Sequence, residues 1–541
     1  MKNTVKTVKE LNKNTIKDFN MFGVMIDCSR NAVMNVEEVK RFAAVISKMG
    51  YNTLMLYTED TYEVKNEPLF GAMRGRYSIN EIKEIDSFCK SINIELIPCI
   101  QTLAHLSTLL QWPEYNSIRD IDDILLIDDE RTYKLINNMF ASLREAFSTN
   151  KIHIGMDEAH HVGLGTYFDK HGIKPRFELI NHHLQKVLKI AKNYSFEPML
   201  WSDMFIKFAF NTNNYYCVDT NNLINTESKI PTDASLVYWD YYSTDYEHYK
   251  NLIAAHKKIS QKIIFAGGIW SWVGFAPSNE FSISTTTPAL KACRDFGIID
   301  VILTMWGDNG SECSKNACLS PLFYASELAK GNSDINSIKE KFKNMFNIDF
   351  DSFMLLDYLN RPSEKAIANP CKYMLFNDPF TGLNDYLCSF EDNDFYINLS
   401  KKIADIKDTG EYGYIFEEYK KLCDVLAIKC NLGLKTRDAY KSGNKEKLKE
   451  LAINDYEKAI KLIEEFHSAF QNVWFKENKP YGFDIQDIRL GGLIMRLKTC
   501  KNRLISYIEG TASSIPELEE PQTSADYGKH WGTCATPNPL N

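Results

Sequence analysis

The chain has 541 residues, of which 44% are hydrophobic and 25% charged, with a formal net charge of -8. That length exceeds one ordinary core and points to two domains, or one large barrel with an addition. An acidic chain without clustered Lys and Arg excludes a nucleic-acid surface, and without a run of about 18 apolar residues it offers no membrane span.

The first stretch, MKNTVKTVKELNKNTIKDFN, is polar and Lys/Asn-rich, with no apolar core of a signal peptide. The 13 cysteines are an odd number, scattered and without a CxxC, so a cytoplasmic protein with free thiols is expected. Cys28, Cys99 and Cys217 fall in or beside apolar runs and read as reduced core residues.

From residue 20 to about 330, short β-rich runs alternate with helical patterns. The runs are FGVMIDCSR (22–30), NTLMLYTED (52–60), IELIPCIQ (94–101), KIHIGMDE (151–158), PMLWSD (198–203), SLVYWDYY (235–242), KIIFAGGIW (262–270) and DVILTMWGD (300–308). After the first run, Val36, Val39, Ala43 and Ile46 share a helix face, with Asn35 and Glu38 at its start and Gly50 at its end. After the second, Ser78 and Glu81 form a capping-box pattern ahead of Ile79, Ile82, Ile85, Cys89 and Ile92. Near-continuous apolar strands separated by amphipathic helices predict a parallel sheet, and eight such units predict a (β/α)8 TIM barrel.

Past about 335 the strand signal stops and long amphipathic helices follow. Leu448, Leu451, Tyr456, Ile460 and Ile463 approximate one stripe. The expected organisation is a polar segment (1–20), the barrel (21–335), an all-α C-terminal domain (336–510) and an extended tail (511–541). The C-terminal helices are suited to docking on the barrel or to a homodimer.

The stretch KIHIGMDEAHHVGLG (151–165) allows three readings. DEAH spells a helicase box, but the chain has no G-x-x-x-x-G-K-[ST] loop; Gly528-Lys529 is followed by His530 and lacks the upstream Gly. A zinc site wants histidines at i, i+4, whereas His160 and His161 are adjacent, so no metal is expected. The remaining reading is a barrel strand delivering carboxylates to its C-terminal end, where barrel chemistry gathers. The other strand ends carry matching groups: Asp27 and Arg30; Glu59 and Asp60; Gln101 and His105; Trp201 and Asp203; Tyr238 and Asp240; Trp270 and Trp272; Trp306 and Asp308. Acids, arginine and indoles around one mouth suit a carbohydrate. His153, opposite in phase to Ile152 and Ile154, reads as a packed barrel residue.

HIGMDEAHHVGLG resembles the H-x-G-G-D-E signature of glycoside hydrolase family 20, the β-N-acetylhexosaminidases. The likeness extends, in the family's order, to Arg30, Asp60, His105, Tyr238, Asp240, Trp306 and Asp308. The resemblance implies an exo-acting hydrolase of terminal non-reducing β-linked GlcNAc or GalNAc, working through an oxazolinium intermediate made by the substrate's own acetamido group. It implies Glu158 as general acid/base, Asp157 on the acetamido N–H, Tyr238 on the acetamido oxygen, and His105 paired with Asp60 behind Glu158. Arg30, Asp240 and Asp308 would hold ring hydroxyls; Trp201, Trp270 and Trp306 would wall the pocket. The partner implied is a small oligosaccharide or glycoconjugate, with no cofactor or metal required. Departures are Met156 for the second signature Gly, Gln101 for an acid, LAH for PGH, and Asp308 for Glu. Alternatives from other classes are a different barrel hydrolase of acylated sugars and a non-catalytic glycan-binding barrel.

Overall fold

The computed structural model describes residues 16, 18–224, 232–360 and 370–522; most of the polar first segment and the tail beyond 522 lie outside the described residues. A strand forms on each of the apolar runs, the first and fifth beginning one residue ahead of theirs: β1 Met21–Asp27, β2 Thr53–Tyr57, β3 Glu95–Cys99, β4 Lys151–His153, β5 Glu197–Trp201, β6 Ser235–Trp239, β7 Ile263–Gly268 and β8 Asp300–Met305. Each pairs in parallel with its chain neighbours, and β8 returns to β1 to close the barrel. In that closure Val24 of β1 is flanked by Leu54 of β2 and Leu303 of β8.

One face of the ladder fills the interior with Met25, Met55, Tyr57, Ile97, Cys99, Met199, Trp201, Val237, Ala266 and Ile302, and Trp239 and Trp306 pack on that cluster. The other face is covered by helices, which is why the strands are apolar on both sides. The helix Val36–Met49 begins at Asn35, whose side chain accepts from Glu38 N (2.9 Å), and ends at Gly50 with φ +108°. The capping box closes in both directions: Glu81 N donates to Ser78 Oγ (3.2 Å) and Ser78 N donates to a Glu81 carboxylate oxygen (2.7 Å).

β4 is shorter than its apolar run. The ladder ends at His153, and Gly155, Met156 and Glu158 all take positive φ (+72°, +73° and +50°). The acids therefore sit on a left-handed turn past the strand, not on it. Outside this site, Cys217 proves exposed, because YYC lies in the loop after the helix Asp203–Ala209. Cys28 and Cys99 are fully buried free thiols. Among the described residues no helix is long and apolar enough to cross a membrane.

The chain divides into two compact units. The first holds 1–269, 281–307 and 321–334; the second holds 270–280, 308–320 and 335–541. The second unit thus takes in two short segments ahead of residue 335, where Phe275 is edge-on to Phe466 (5.4 Å) and Phe470 (5.6 Å). Within it the helix Asp392–Ala404 packs on Gly413–Lys429, which packs on Glu457–Glu477. The apolar stripe 448/451/456/460/463 is buried. Its five-residue step falls on a π-helical segment, Leu451–Tyr456, whose wider turn keeps Tyr456 in phase.

Candidate active site

The C-terminal ends of the strands bring together a connected set of polar groups. β1 ends on Asp27, whose Oδ1 accepts from Ser29 N and Ser29 Oγ (both 2.8 Å) and whose Oδ2 accepts from Gly307 N (2.9 Å). This fixed carboxylate pairs with Arg30 (3.2 Å), which also reaches Glu59 (3.4 Å). The guanidinium lies over the rings of Tyr57 (5.2 Å) and Trp306 (5.5 Å), so its plane is held on two sides. Tyr57 OH donates to Glu59 Oε1 (3.2 Å) and accepts from Gln101 Nε2 (2.9 Å).

Gln101 carries the network on to Asp157. Its Nε2 donates to Asp157 Oδ1 (2.7 Å), and its Oε1 accepts from Met156 N (3.0 Å). The amide can serve both groups because it has a donor and an acceptor; a carboxylate here could not donate to Asp157. Close approach requires Gly155, where a Cβ would lie 2.0 Å from Gln101 Oε1. Met156 is fully buried in a left-handed backbone conformation that a glycine would adopt without cost.

His105, itself at φ +57°, places Nε2 3.2 Å from Asp157 Oδ2 and 3.6 Å from Glu158 Oε2. Adjacent acids on a strand would diverge; on the turn both lean on one imidazole. Burial opposes charge on His105, but the Asp157 charge and contact outweigh it and raise the ring to about 9. Burial would likewise raise Asp157, yet the His105 charge, its contact and the Gln101 hydrogen bond hold it down at about 2. Glu158 differs: burial, and then the charge of Asp157, raise its carboxyl above the ordinary range. Its side chain remains 50% exposed, against 15% for Asp157. Glu158 N donates to Asp203 Oδ2 (3.1 Å), a buried acid that burial and the Asp157 charge push up to about 7. Thus one acid is fixed as an anion and its neighbour is inclined to keep a proton.

Several expected residues fall elsewhere. Tyr238 and Asp240 do not face the barrel interior. Val237 and Trp239 belong to the interior side, so alternation turns Tyr238 and Asp240 toward the helices. There Tyr238 OH donates to Asp240 Oδ2 (2.9 Å), His248 pairs with Asp240 (2.6 Å), and the Tyr238 ring lies 4.5 Å from His256. The tyrosine on the inner side is Tyr241, stacked 5.6 Å from Trp239, with the polar groups of Trp306 and Thr304 within reach of its hydroxyl. Burial holds that phenol protonated. Parity from Val237 would have selected Trp239 and Tyr241. Asp60 does not pair with His105: it is fully buried against Arg74 (3.3 Å), and of the two acids at this strand end it is Glu59 whose charge adds to that of Asp157 on His105.

Trp201 is buried in the interior, 5.9 Å from Trp306, and its indole N–H has no hydrogen-bond partner among the described residues. Behind it His153 accepts from Gly155 N (3.1 Å) and packs its ring at a tilt of 51°, 4.3 Å from that of Trp201, and burial lowers it to about 3, so it is a neutral packing residue. Trp270 and Asp308 belong to the second unit, where Trp270 stacks on Trp272 at 4.3 Å and Asp308 is exposed. Among the described residues no three His, Cys, Asp or Glu side chains group as a metal site would.

Comparison with known proteins bears on the same region. Residues 19–258 match the catalytic domain of glycosyl hydrolase family 20, and residues 351–532 match the glycoside hydrolase 20C C-terminal domain. Hexosaminidase D of Bos taurus is 22% identical over 237 residues, covering 42% of this chain and 63% of that protein. Hexosaminidase D of Homo sapiens is 24% identical over 184 residues, covering 32% of this chain and 38% of that protein. The matched stretches span less than two thirds of these curated relatives. A crystal structure of a family 20 exo-β-N-acetylglucosaminidase from Vibrio harveyi, in complex with N-acetylglucosamine, aligns over 63% of this chain and 58% of its own at 15% identity and a TM-score of 0.48. The catalytic-domain match contains the whole Asp157–Glu158 turn and the strands that hold it, and the second match covers the helical region: the chain belongs to glycoside hydrolase family 20.

Proposed function

We propose that the chain is an exo-acting β-N-acetylhexosaminidase that removes terminal non-reducing β-linked GlcNAc or GalNAc with retention, the substrate's acetamido group acting as nucleophile. The observation that carries this reading is the unequal pair at one imidazole: Asp157 pinned and anionic, Glu158 half-exposed and inclined to hold a proton. Ordinary retaining enzymes use one of two carboxylates as a nucleophile on the sugar. Asp157 suits that role poorly, since both of its oxygens are engaged and its pKa of about 2 marks a weak base. It suits the other role well, accepting the acetamido N–H and opposing the positive charge that grows as the carbonyl oxygen closes on C1. Glu158 donates its proton to the departing oxygen and then takes one from water as the ring reopens. Tyr241 replaces Tyr238 as the donor to the acetamido oxygen; one such donor aimed at developing charge is worth about 3 kcal/mol.

Arg30, held by Asp27 and Glu59, faces sugar hydroxyls, and Trp201, Trp239 and Trp306 supply apolar walls. The roles implied for Trp270 and Asp308, acceptance of GalNAc beside GlcNAc, and self-association through the helical unit belong to the same reading. The test is hydrolysis of an aryl β-GlcNAc with inhibition by a thiazoline mimic of the cyclised intermediate. Undiminished cleavage of the matching plain β-glucoside would remove substrate assistance, and a trapped glycosyl ester on Asp157 would replace it.

A further inference from the structure

We propose that the cavity beside Glu158 is the leaving-group subsite and that it is built to take an aglycone bearing an anionic group. This rests on the hydrolase reading above, because it needs Glu158 to be the group that protonates the departing oxygen.

The cavity, of about 620 Å³, is lined by residues of the first unit only. That volume lies in the range of small-molecule sites. Its position follows from the chain: His160 is two residues beyond Glu158, and Lys207 lies on the helix that begins at Asp203, the acid holding Glu158 N. Asp203 and Lys207 stand one helical turn apart, and the Glu158 main chain is held by Asp203 through its N–H and by His160 N through its carbonyl, so the cavity lies beside the segment that carries the proposed acid, and the Lys207 charge acts on Glu158. The space next to a general acid is where the leaving group must stand.

The lining has two parts. Phe177, Met204 and Phe208 make an apolar floor, with the two phenyl rings parallel at 3.5 Å. Arg176, Lys207 and His160 make a basic rim. Neither Arg176 nor Lys207 makes an ion pair or a side-chain hydrogen bond among the described residues. His160 is lowered first by burial and then by the Lys207 and Arg176 charges, so its ring is neutral near pH 7 and the cavity presents two fixed cations. An apolar floor accepts a sugar face, and two uncompensated cations at its edge select a carboxylate or a sulfate on that sugar.

The experiment compares kcat/KM for three β-GlcNAc disaccharides whose reducing sugar is glucose, glucuronic acid or glucose 6-sulfate, using the full chain at low salt. Each surface ion pair formed is worth up to about fivefold, so an anionic disaccharide is expected to lead the neutral one by about tenfold. A lead for only one anion identifies carboxylate or sulfate as its source. In R176Q/K207Q the anionic-to-neutral ratio should fall below about twofold, and in K207E it should drop further; ratios within one protein cancel any general loss of folded enzyme. Equal rates for all three sugars in the unaltered chain, or a ratio untouched in the double variant, would overturn the inference while aryl β-GlcNAc cleavage kept the hydrolase reading intact. Loss of both, with no aryl cleavage by a folded chain, would overturn the reading and the inference together.

Discussion

Replacing His105 with Gln tests the electrostatic core of the site. The imidazole lies 3.2 Å from Asp157 and 3.6 Å from Glu158, and the cation lowers both carboxyls. An opposite charge at this range changes a carboxyl pKa by about 1–3 pH units. Removing it lets burial dominate, so Asp157 should climb from about 2 past its ordinary 3.8, and Glu158 should rise further above 4.5. In kcat/KM the acid limb reports ionised Asp157 and the alkaline limb protonated Glu158, so both limbs should move to higher pH, the acid limb by more. Stability carries a second signature with a definite sign. His105 is raised from 6.5 to about 9, so its contribution is complete below pH 6.5 and fades as the pH rises through 9. That span corresponds to at most about 3 kcal/mol. The gap in Tm between the unaltered chain and His105→Gln should therefore be several degrees at pH 6 and narrow at pH 9.5. An acid limb that stays put, or a Tm gap that does not shrink, would refute this assignment of charge.

Three further outcomes are expected. Glu158→Gln should lose about 10³-fold or more in kcat on an unactivated disaccharide and far less on an aryl glycoside with a good leaving group, since only the first needs a full proton donor; equal losses would displace Glu158. Tyr241→Phe should cost about 10²-fold in kcat, whereas Tyr238→Phe, which removes a buried bond to Asp240, should cost about 1 kcal/mol of stability by denaturant unfolding and under tenfold in kcat. The opposite ranking would restore Tyr238. Gly155→Ala puts a methyl 2.0 Å from Gln101 Oε1 at φ +72°, so it should lower Tm and, by pushing Gln101 off Asp157, raise the acid limb of the pH profile.

Much of the molecule is legible without coordinates. The alternation of apolar runs and amphipathic helices dictates a closed parallel barrel, because strands buried on both faces have few other homes. Asn35, Gly50 and the Ser78–Glu81 box mark helix ends by local chemistry that needs no tertiary partner. The adjacent acids at 157 and 158 are visible for the same reason. The face of a strand end is another matter. SLVYWDYY is apolar on both sides, so hydrophobicity does not say which parity points inward, and Tyr238 and Asp240 are indistinguishable from Trp239 and Tyr241 until barrel closure puts Val237 inside. Nor can spacing show that a left-handed turn after His153 swings both carboxylates onto His105, or that Gln101 spans Tyr57 and Asp157. Local sequence determined the elements, their order and the chemical inventory. The three-dimensional packing decided which of those groups meet, because register and side-chain direction are set by neighbours distant in the chain.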